Sequence, residues 1–140
     1  FCDDGLLLKC PVEILPLFKT NRSIIVKAFD LSTLMATKIR AVLHRKWEKT
    51  SKSGATLATV KGRDYFDLMW YLRKGVSPNM SCLNEVIDKN DLKKLLLLAV
   101  EKADPASIKF DLEALIADEK YVVNMSTDLR QILKSEIEKM

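Results

Sequence analysis

Apolar residues follow two rhythms along this chain, and the change between them marks its first boundary. In residues 6–15 (LLLKCPVEIL) and 23–29 (SIIVKAF) they come in short runs rich in branched side chains, bounded by Pro16 and Asn21, which predicts two strands joined by a turn. Pro11 has no N–H to give to a ladder, so it places the first strand at an edge or a bulge. After Asp30 the spacing turns helical: Leu31, Met35, Ile39, Val42 and Leu43 form one stripe with Ser32 as a cap, predicting a helix over about 32–48. Residues 48–62 (EKTSKSGATLATVKG) lose the stripe and collect Ser, Thr, Gly and Lys, the composition of a long, mobile basic loop.

A second helical stripe, Tyr65, Leu68, Met69 and Leu72, predicts a helix over 64–74, stopped by Gly75 and by Pro78 beyond it. Ser81, Asn90, Asp104 followed by Pro105, and Ser126 offer starts for further helices over 82–88, 91–103, 106–117 and 127–139. The expected fold is therefore α+β and mostly α: a short N-terminal strand pair over 1–30, then a helical domain over 31–140 built as a bundle of about six helices.

Composition supports one globular domain, since 140 residues at 48% hydrophobic and 30% charged content can bury a core. The longest apolar run, near residues 95–100, falls far short of the roughly 20 residues that cross a bilayer, so no membrane role is expected. Opening on Phe1 suggests an excised domain, and no basic segment followed by an apolar one reads as a secretory signal. Cys2, Cys10 and Cys82 are odd in number and lack CxxC spacing, which argues against a disulfide framework or a zinc site and for reduced thiols in the cytoplasm. The net charge of +4 is local: residues 38–63 hold eight Lys or Arg against the single acid Glu48. Such a patch suits a nucleotide or RNA, or is simply a solvated face.

Within that stretch Lys38, Ala41 and Arg45 share one helix face, two cations beside a small residue, placed to grip a phosphate chain or to sit in solvent. Asp64 and Asp67 share a face of the next helix, where Asp64 also suits the positive end of the helix dipole. His44 reads as an exposed surface residue. Trp47, Trp70, Tyr65, Phe66 and Tyr71 could stack on bases, although Tyr65 lies on the apolar stripe. No GxxxxGK, GxGxxG, GxSxG or HExxH motif is present.

The ordered combination is more specific than its parts. KIRAVLHR (38–45) fits KxxAxxxR and GRDYFDL (62–68) fits RDxxDL, separated by a basic loop and preceded by two strands and the helix entry LSTLMATK. Over roughly residues 5–75 this resembles the two downstream motifs of the AbiEii/AbiGii nucleotidyltransferase toxins, which follow a polymerase-beta-like core and lead into a helical C-terminal region. The resemblance implies that the strand pair is the remnant of a nucleotidyltransferase sheet. It implies that Lys38 contacts a nucleoside triphosphate and that Asp64 is an essential acid, making these the catalytic candidates. Arg45 and Arg63 would contact phosphate or orient Asp64 as ion-pair partners, with Asp67 a supporting acid behind them. The parent would use Mg²⁺ and an NTP, transfer a nucleotide to an acceptor such as tRNA, and be paired with an antitoxin.

The departure from the family pattern lies upstream. Such enzymes hold metal with a DxD carboxylate pair after a Gly-Ser loop, and neither motif is present. Asp3 and Asp4 are adjacent, so on a strand they would face opposite sides, and Glu13 reads as an edge residue facing solvent. No metal ligand is assigned, no cofactor is expected on this chain by itself, and the 140 residues alone are expected to be inactive. Three arrangements then compete. A nucleotidyltransferase fragment would bring Lys38, Arg45, Arg63 and Asp64 to one cleft. A non-catalytic helical module binding RNA or protein through the 38–63 patch would show an open basic surface with Asp64 tied up in a salt bridge or cap. A subunit-packing surface would leave Leu92, Leu95, Leu96 and Ala99 exposed.

Overall fold

The computed structural model describes residues 10–140, so residues 6–9 of the expected first strand, together with Cys2, Asp3, Asp4 and Gly5, lie outside the described residues. The antiparallel strands β1 (Val12–Lys19) and β2 (Arg22–Phe29) form a hairpin. Thr20 and Asn21 take φ of 44° and 60°, the two left-handed residues that a two-residue type I′ turn requires. β1 runs straight through Pro16, where the sequence had suggested its end. With Lys19 opposite Arg22 closing the turn, bonded and non-bonded pairs alternate, and Pro16 opposite Ile25 falls on a non-bonded pair. Its missing N–H therefore faces away from β2 and leaves the ladder intact.

Both faces of this hairpin are apolar and open. Ile14, Ile25 and Phe18 lie on one face at 72%, 76% and 80% exposure, while Leu15, Leu17 and Ile24 on the other are also exposed. A sheet with apolar residues on both faces is the kind that is normally covered on both.

The rest is mainly helical: α1 (Leu31–His44), α2 (Gly62–Arg73), α3 (Lys89–Lys102), α4 (Pro105–Glu113) and α5 (Glu119–Lys139). The expected class holds, with five α-helices among the described residues rather than about six. The helix expected over 82–88 is a single 3-10 turn, Met80–Cys82, followed by turns that still bury Cys82, Leu83 and Val86. α5 begins well before Ser126. Its cap is Asp118, which accepts the Tyr121 N–H at 3.0 Å. Ser126 and Thr127 instead turn their hydroxyls back to the Val123 carbonyl at 2.8 and 3.0 Å, which satisfies them inside the helix. Likewise Asp30, rather than Ser32, caps α1 by accepting the Thr33 N–H at 2.7 Å.

The loop over 48–62 contains a small hairpin, β3 (Lys49–Thr50) with β4 (Thr56–Ala58), turning at Gly54. α2 ends as expected at Gly75, whose φ of 68° lets its N–H reach the Leu72 carbonyl and the Val76 N–H reach that of Tyr71. α5 is the spine of the bundle, packing Val122, Met125, Leu129, Leu133 and Ile137 against α2, α3 and α4. Leu92 and Leu96 of α3 are fully buried in the same core, and Leu95 and Ala99 pack against it, so the arrangement that would leave these four exposed as a subunit-packing surface is not the one observed. Among the described residues no helix is long and apolar enough to cross a membrane.

Candidate functional site

Met35, Ile39 and Val42 on α1 pack into the same core as Tyr65, Leu68, Met69 and Leu72 on α2, and this sets the facing polar positions of the two helices side by side. Lys38 and Arg45, seven residues apart on α1, then meet the first two turns of α2. Arg45 Nη1 is 2.8 Å from Asp64 Oδ2, Lys38 Nζ is 3.5 Å from Asp64 Oδ1, and Lys38 Nζ is 2.7 Å from Asp67 Oδ2. The KxxAxxxR and RDxxDL stretches thus join in one network of two cations and two carboxylates. Ala41, between the cations on α1, is buried and lines a small hollow together with Arg45 and Asp64.

The network is graded in exposure. The Asp64 side chain is only 4% exposed, whereas that of Lys38 is 33% exposed and that of Asp67 40%. Burial by itself would lower the Lys38 ammonium, but the hydrogen bond and charge of Asp67 and the charge of Asp64 outweigh it and hold the group above its ordinary value. Tyr65, on the buried side of α2, donates its hydroxyl to the Ala99 carbonyl at 3.4 Å, and burial, aided by the Asp64 charge, pushes it up to about 12. It is a core residue and not a stacking platform. Trp70 is exposed, with the Lys74 ammonium 4.8 Å from its ring centroid and Tyr71 edge-on to it.

What holds the RD segment in place comes from α4. Lys61, at the cap position of α2, makes no side-chain cap bond; the Arg63 N–H is taken instead by Asp111 Oδ2 at 2.9 Å. Thr59 N–H donates to Ser107 Oγ at 2.9 Å, and Thr59 Oγ1 donates to Asp104 Oδ2 at 3.2 Å. Gly62 sits so close to α4 that a Cβ there would lie 2.7 Å from Ile108 Cα and 2.8 Å from its carbonyl oxygen. Gly62, Ser107 and Asp111 are thus the positioning residues that sequence inspection missed. Only the glycine just before the RD pair was a local signal, because Asp111 lies 48 positions from the residue it caps.

Of the four residues expected to converge, Lys38, Arg45 and Asp64 do so, joined by Asp67. Arg63 does not. One position from Asp64 on a helix, it points elsewhere and lies 3.7 Å from Asp111, so it is not the ion-pair partner that orients Asp64. The basic patch is less open than its sequence suggested, since Lys38, Arg40, Arg45 and Arg63 all face carboxylates, Arg40 weakly at 3.9 Å from Glu85. Lys46, Lys49 and Lys52 remain exposed around β3 and β4, with Lys49 over the Phe110 ring. His44 is exposed, as expected, and its Nε2 is 2.7 Å from Glu85. Beside the network a depression of about 320 Å³, lined by Val42, Arg45, Val60, Tyr65, Leu98 and Lys102 among others, shares Arg45 with it.

These residues do not fit a divalent metal. Both carboxylates of the network are already met by ammonium or guanidinium groups, and among the described residues no three His, Cys, Asp or Glu side chains gather to hold an ion. Glu13 is exposed on β1 opposite Ala28. What the arrangement can do is present a half-exposed ammonium, held by a carboxylate that an incoming phosphate could replace, beside a guanidinium anchored by a buried one.

Comparison with known proteins adds the family. No curated protein and no solved structure matches the chain. The family model described as nucleotidyl transferase AbiEii toxin of type IV toxin–antitoxin systems matches residues 8–136, extending the likeness from the two motifs through four helices and into the fifth. The chain belongs to the AbiEii nucleotidyltransferase toxin family of type IV toxin–antitoxin systems.

Proposed function

We propose that this chain is the C-terminal portion of a nucleotidyltransferase toxin and supplies the triphosphate contacts of its active site, with Lys38 as the primary contact and Arg45 beside it. The observation that carries the proposal is the joining of the two motifs through Lys38, Asp67, Asp64 and Arg45. Nucleotidyl transfer is a displacement at phosphorus in which protein groups mainly position the chain of phosphates and neutralise charge. On binding, Lys38 exchanges Asp67 for a phosphate oxygen, and Asp64 keeps Arg45 in place. Asp64 is the essential acid of this account through its hold on both cations. Arg63, paired with Asp111, contributes from the rim.

Residues 1–30 are, in this reading, the end of the nucleotidyltransferase core, and 31–140 its helical C-terminal domain. The doubly apolar, exposed hairpin supports this, because it needs a larger sheet or covering layer on both faces. The metal carboxylates and Mg²⁺ site belong to the upstream part of the parent, so the 140 residues alone are inactive. The acceptor is an RNA such as tRNA, drawn to the exposed Lys46, Lys49 and Lys52, and the functional partner is an antitoxin in the cytoplasm.

A second reading, a non-catalytic module that binds RNA or protein through the 38–63 patch, draws support from Asp64 being tied up in ion pairs. The test is transfer by the longer parent protein, supplied with Mg²⁺, each labelled NTP and tRNA. Label should enter the RNA with the wild type and Arg63→Ala and fall at least a hundredfold with Lys38→Ala and Asp64→Asn, about 3 kcal/mol of lost transition-state stabilisation. Equal labelling by all four proteins would remove Lys38 and Asp64 from the active site.

A further inference from the structure

The described residues include one pair of reactive side chains that the nucleotide site does not use. Cys10 Sγ and Cys82 Sγ lie 2.9 Å apart although 72 positions separate them in sequence. Cys82 is buried and closes the 3-10 turn Met80–Cys82. That turn is fastened to the start of α1: the Asn79 N–H donates to the Ser32 carbonyl at 3.0 Å, Asn79 Nδ2 donates to Thr33 Oγ1 at 3.1 Å, and Asn79 Oδ1 accepts from Ser81. Cys10 is half-buried at the foot of the first hairpin, one residue before Pro11, whose carbonyl accepts the Asp30 N–H at 3.4 Å where β2 gives way to α1. The two sulfurs therefore bridge the hairpin and the helical bundle at their junction.

We propose that Cys10 and Cys82 form a reversible disulfide, a modification site whose closure staples the apolar β1–β2 hairpin to the helical bundle. A disulfide spans about 2.05 Å, so the sulfurs must close by only about 0.9 Å from their present separation. The oxidant is a low-molecular-weight disulfide such as oxidised glutathione. The thiolate of Cys10, the more accessible of the two, attacks one glutathione sulfur and expels the first glutathione thiolate, giving a mixed disulfide. The Cys82 thiolate then attacks Cys10 Sγ and expels the second. Two protein thiols and one glutathione disulfide become one internal disulfide and two glutathione molecules, and the reverse exchange restores the thiols. The hydrogen bond that the Cys10 thiol shares with Cys82, together with burial, pushes the thiol up to about 11, so the first attack is slow at neutral pH. In the cytoplasm proposed above, a disulfide between two such thiols is transient, and this one serves redox sensing. Closure adds a covalent tie at the root of α1, the helix that carries Lys38 and Arg45.

Equilibrating the folded chain in glutathione buffers of graded oxidised-to-reduced ratio, followed by acid quench, thiol alkylation and tryptic mapping, tests this. The expected product joins peptides 10–19 and 75–89 by a disulfide, disappears with dithiothreitol, and forms equally in Cys2→Ser, which removes the third cysteine. It should be absent from Cys10→Ser, a half-exposed site where substitution leaves the core intact, and the oxidised wild type should melt at higher temperature than the reduced. Glutathione adducts on Cys10 that never resolve to Cys82, or a disulfide that instead includes peptide 1–9 with Cys2, would overturn the proposal.

Discussion

Replacing Gly62 by Ala should destabilise the protein, against the usual direction of such a change. At an open helical position Gly→Ala gains about 0.4–1 kcal/mol by restricting the unfolded chain. At Gly62 the new Cβ would meet Ile108 Cα at 2.7 Å and its carbonyl oxygen at 2.8 Å, and both are backbone atoms that no side-chain rotation can clear. Ordinary carbon contacts lie near 3.5–4.0 Å, so α2 and α4 must part by about 1 Å. That movement stretches the Arg63 N–H bond to Asp111 and the Thr59 N–H bond to Ser107, each 2.9 Å, past useful length. Overpacking at about 1–3 kcal/mol and two weakened hydrogen bonds at about 1 kcal/mol each, less the unfolded-state gain, leave a net loss of about 2–4.6 kcal/mol. Urea unfolding of wild type and variant reads this directly as a lower midpoint at unchanged slope. The same displacement moves the first turn of α2, so Asp64 should also lose its 2.8 Å contact with Arg45. A Gly62→Ala protein as stable as wild type, or more so, would refute the tight α2–α4 contact that positions the RD segment.

Two other perturbations bear on the network and its supports. Arg45→Met leaves the buried Asp64 carboxylate facing Lys38 alone at 3.5 Å, and should cost roughly 3 kcal/mol in urea unfolding; adding Asp64→Asn to that variant should recover at least 1 kcal/mol, and simple additivity of the two losses would show that they do not interact. Asp104 is held below its ordinary carboxylate value of 3.8: burial alone would raise it, but the Ser107 hydroxyl and N–H and the Thr59 hydroxyl outweigh that. Its contribution is therefore fully present above about pH 4 and is lost as pH falls through the lower folded value, so acid unfolding followed by circular dichroism should be shallower in Asp104→Asn; an identical acid limb would show that the group adds nothing.

Much of this architecture is legible in the sequence where the signal is local. α1 and α2 appear as apolar stripes, the Gly75 stop of α2 is where a left-handed residue is needed, and Asp104 before Pro105 marks the start of α4. The errors have physical causes. Ser126 and Thr127 resemble a helix start because their hydroxyls can cap, but inside α5 they bond the Val123 carbonyl. Pro16 resembles a strand end until the register shows its nitrogen on the unbonded side. In the site, the shared faces of Lys38 with Arg45 and of Asp64 with Asp67 follow from helical spacing. That the two faces meet does not, because it depends on how α1 and α2 pack, and neither does the transfer of Arg63 to Asp111, which depends on α4.

The central claim is that the two motifs form one triphosphate-binding surface, and calorimetric titration of each NTP with Mg²⁺ into this chain tests it most directly. The account predicts binding that weakens at least tenfold in Lys38→Ala, about 1.4 kcal/mol, and changes less than about twofold in Arg63→Ala. Failure of every NTP to bind, or equal affinity in wild type and Lys38→Ala, would contradict it.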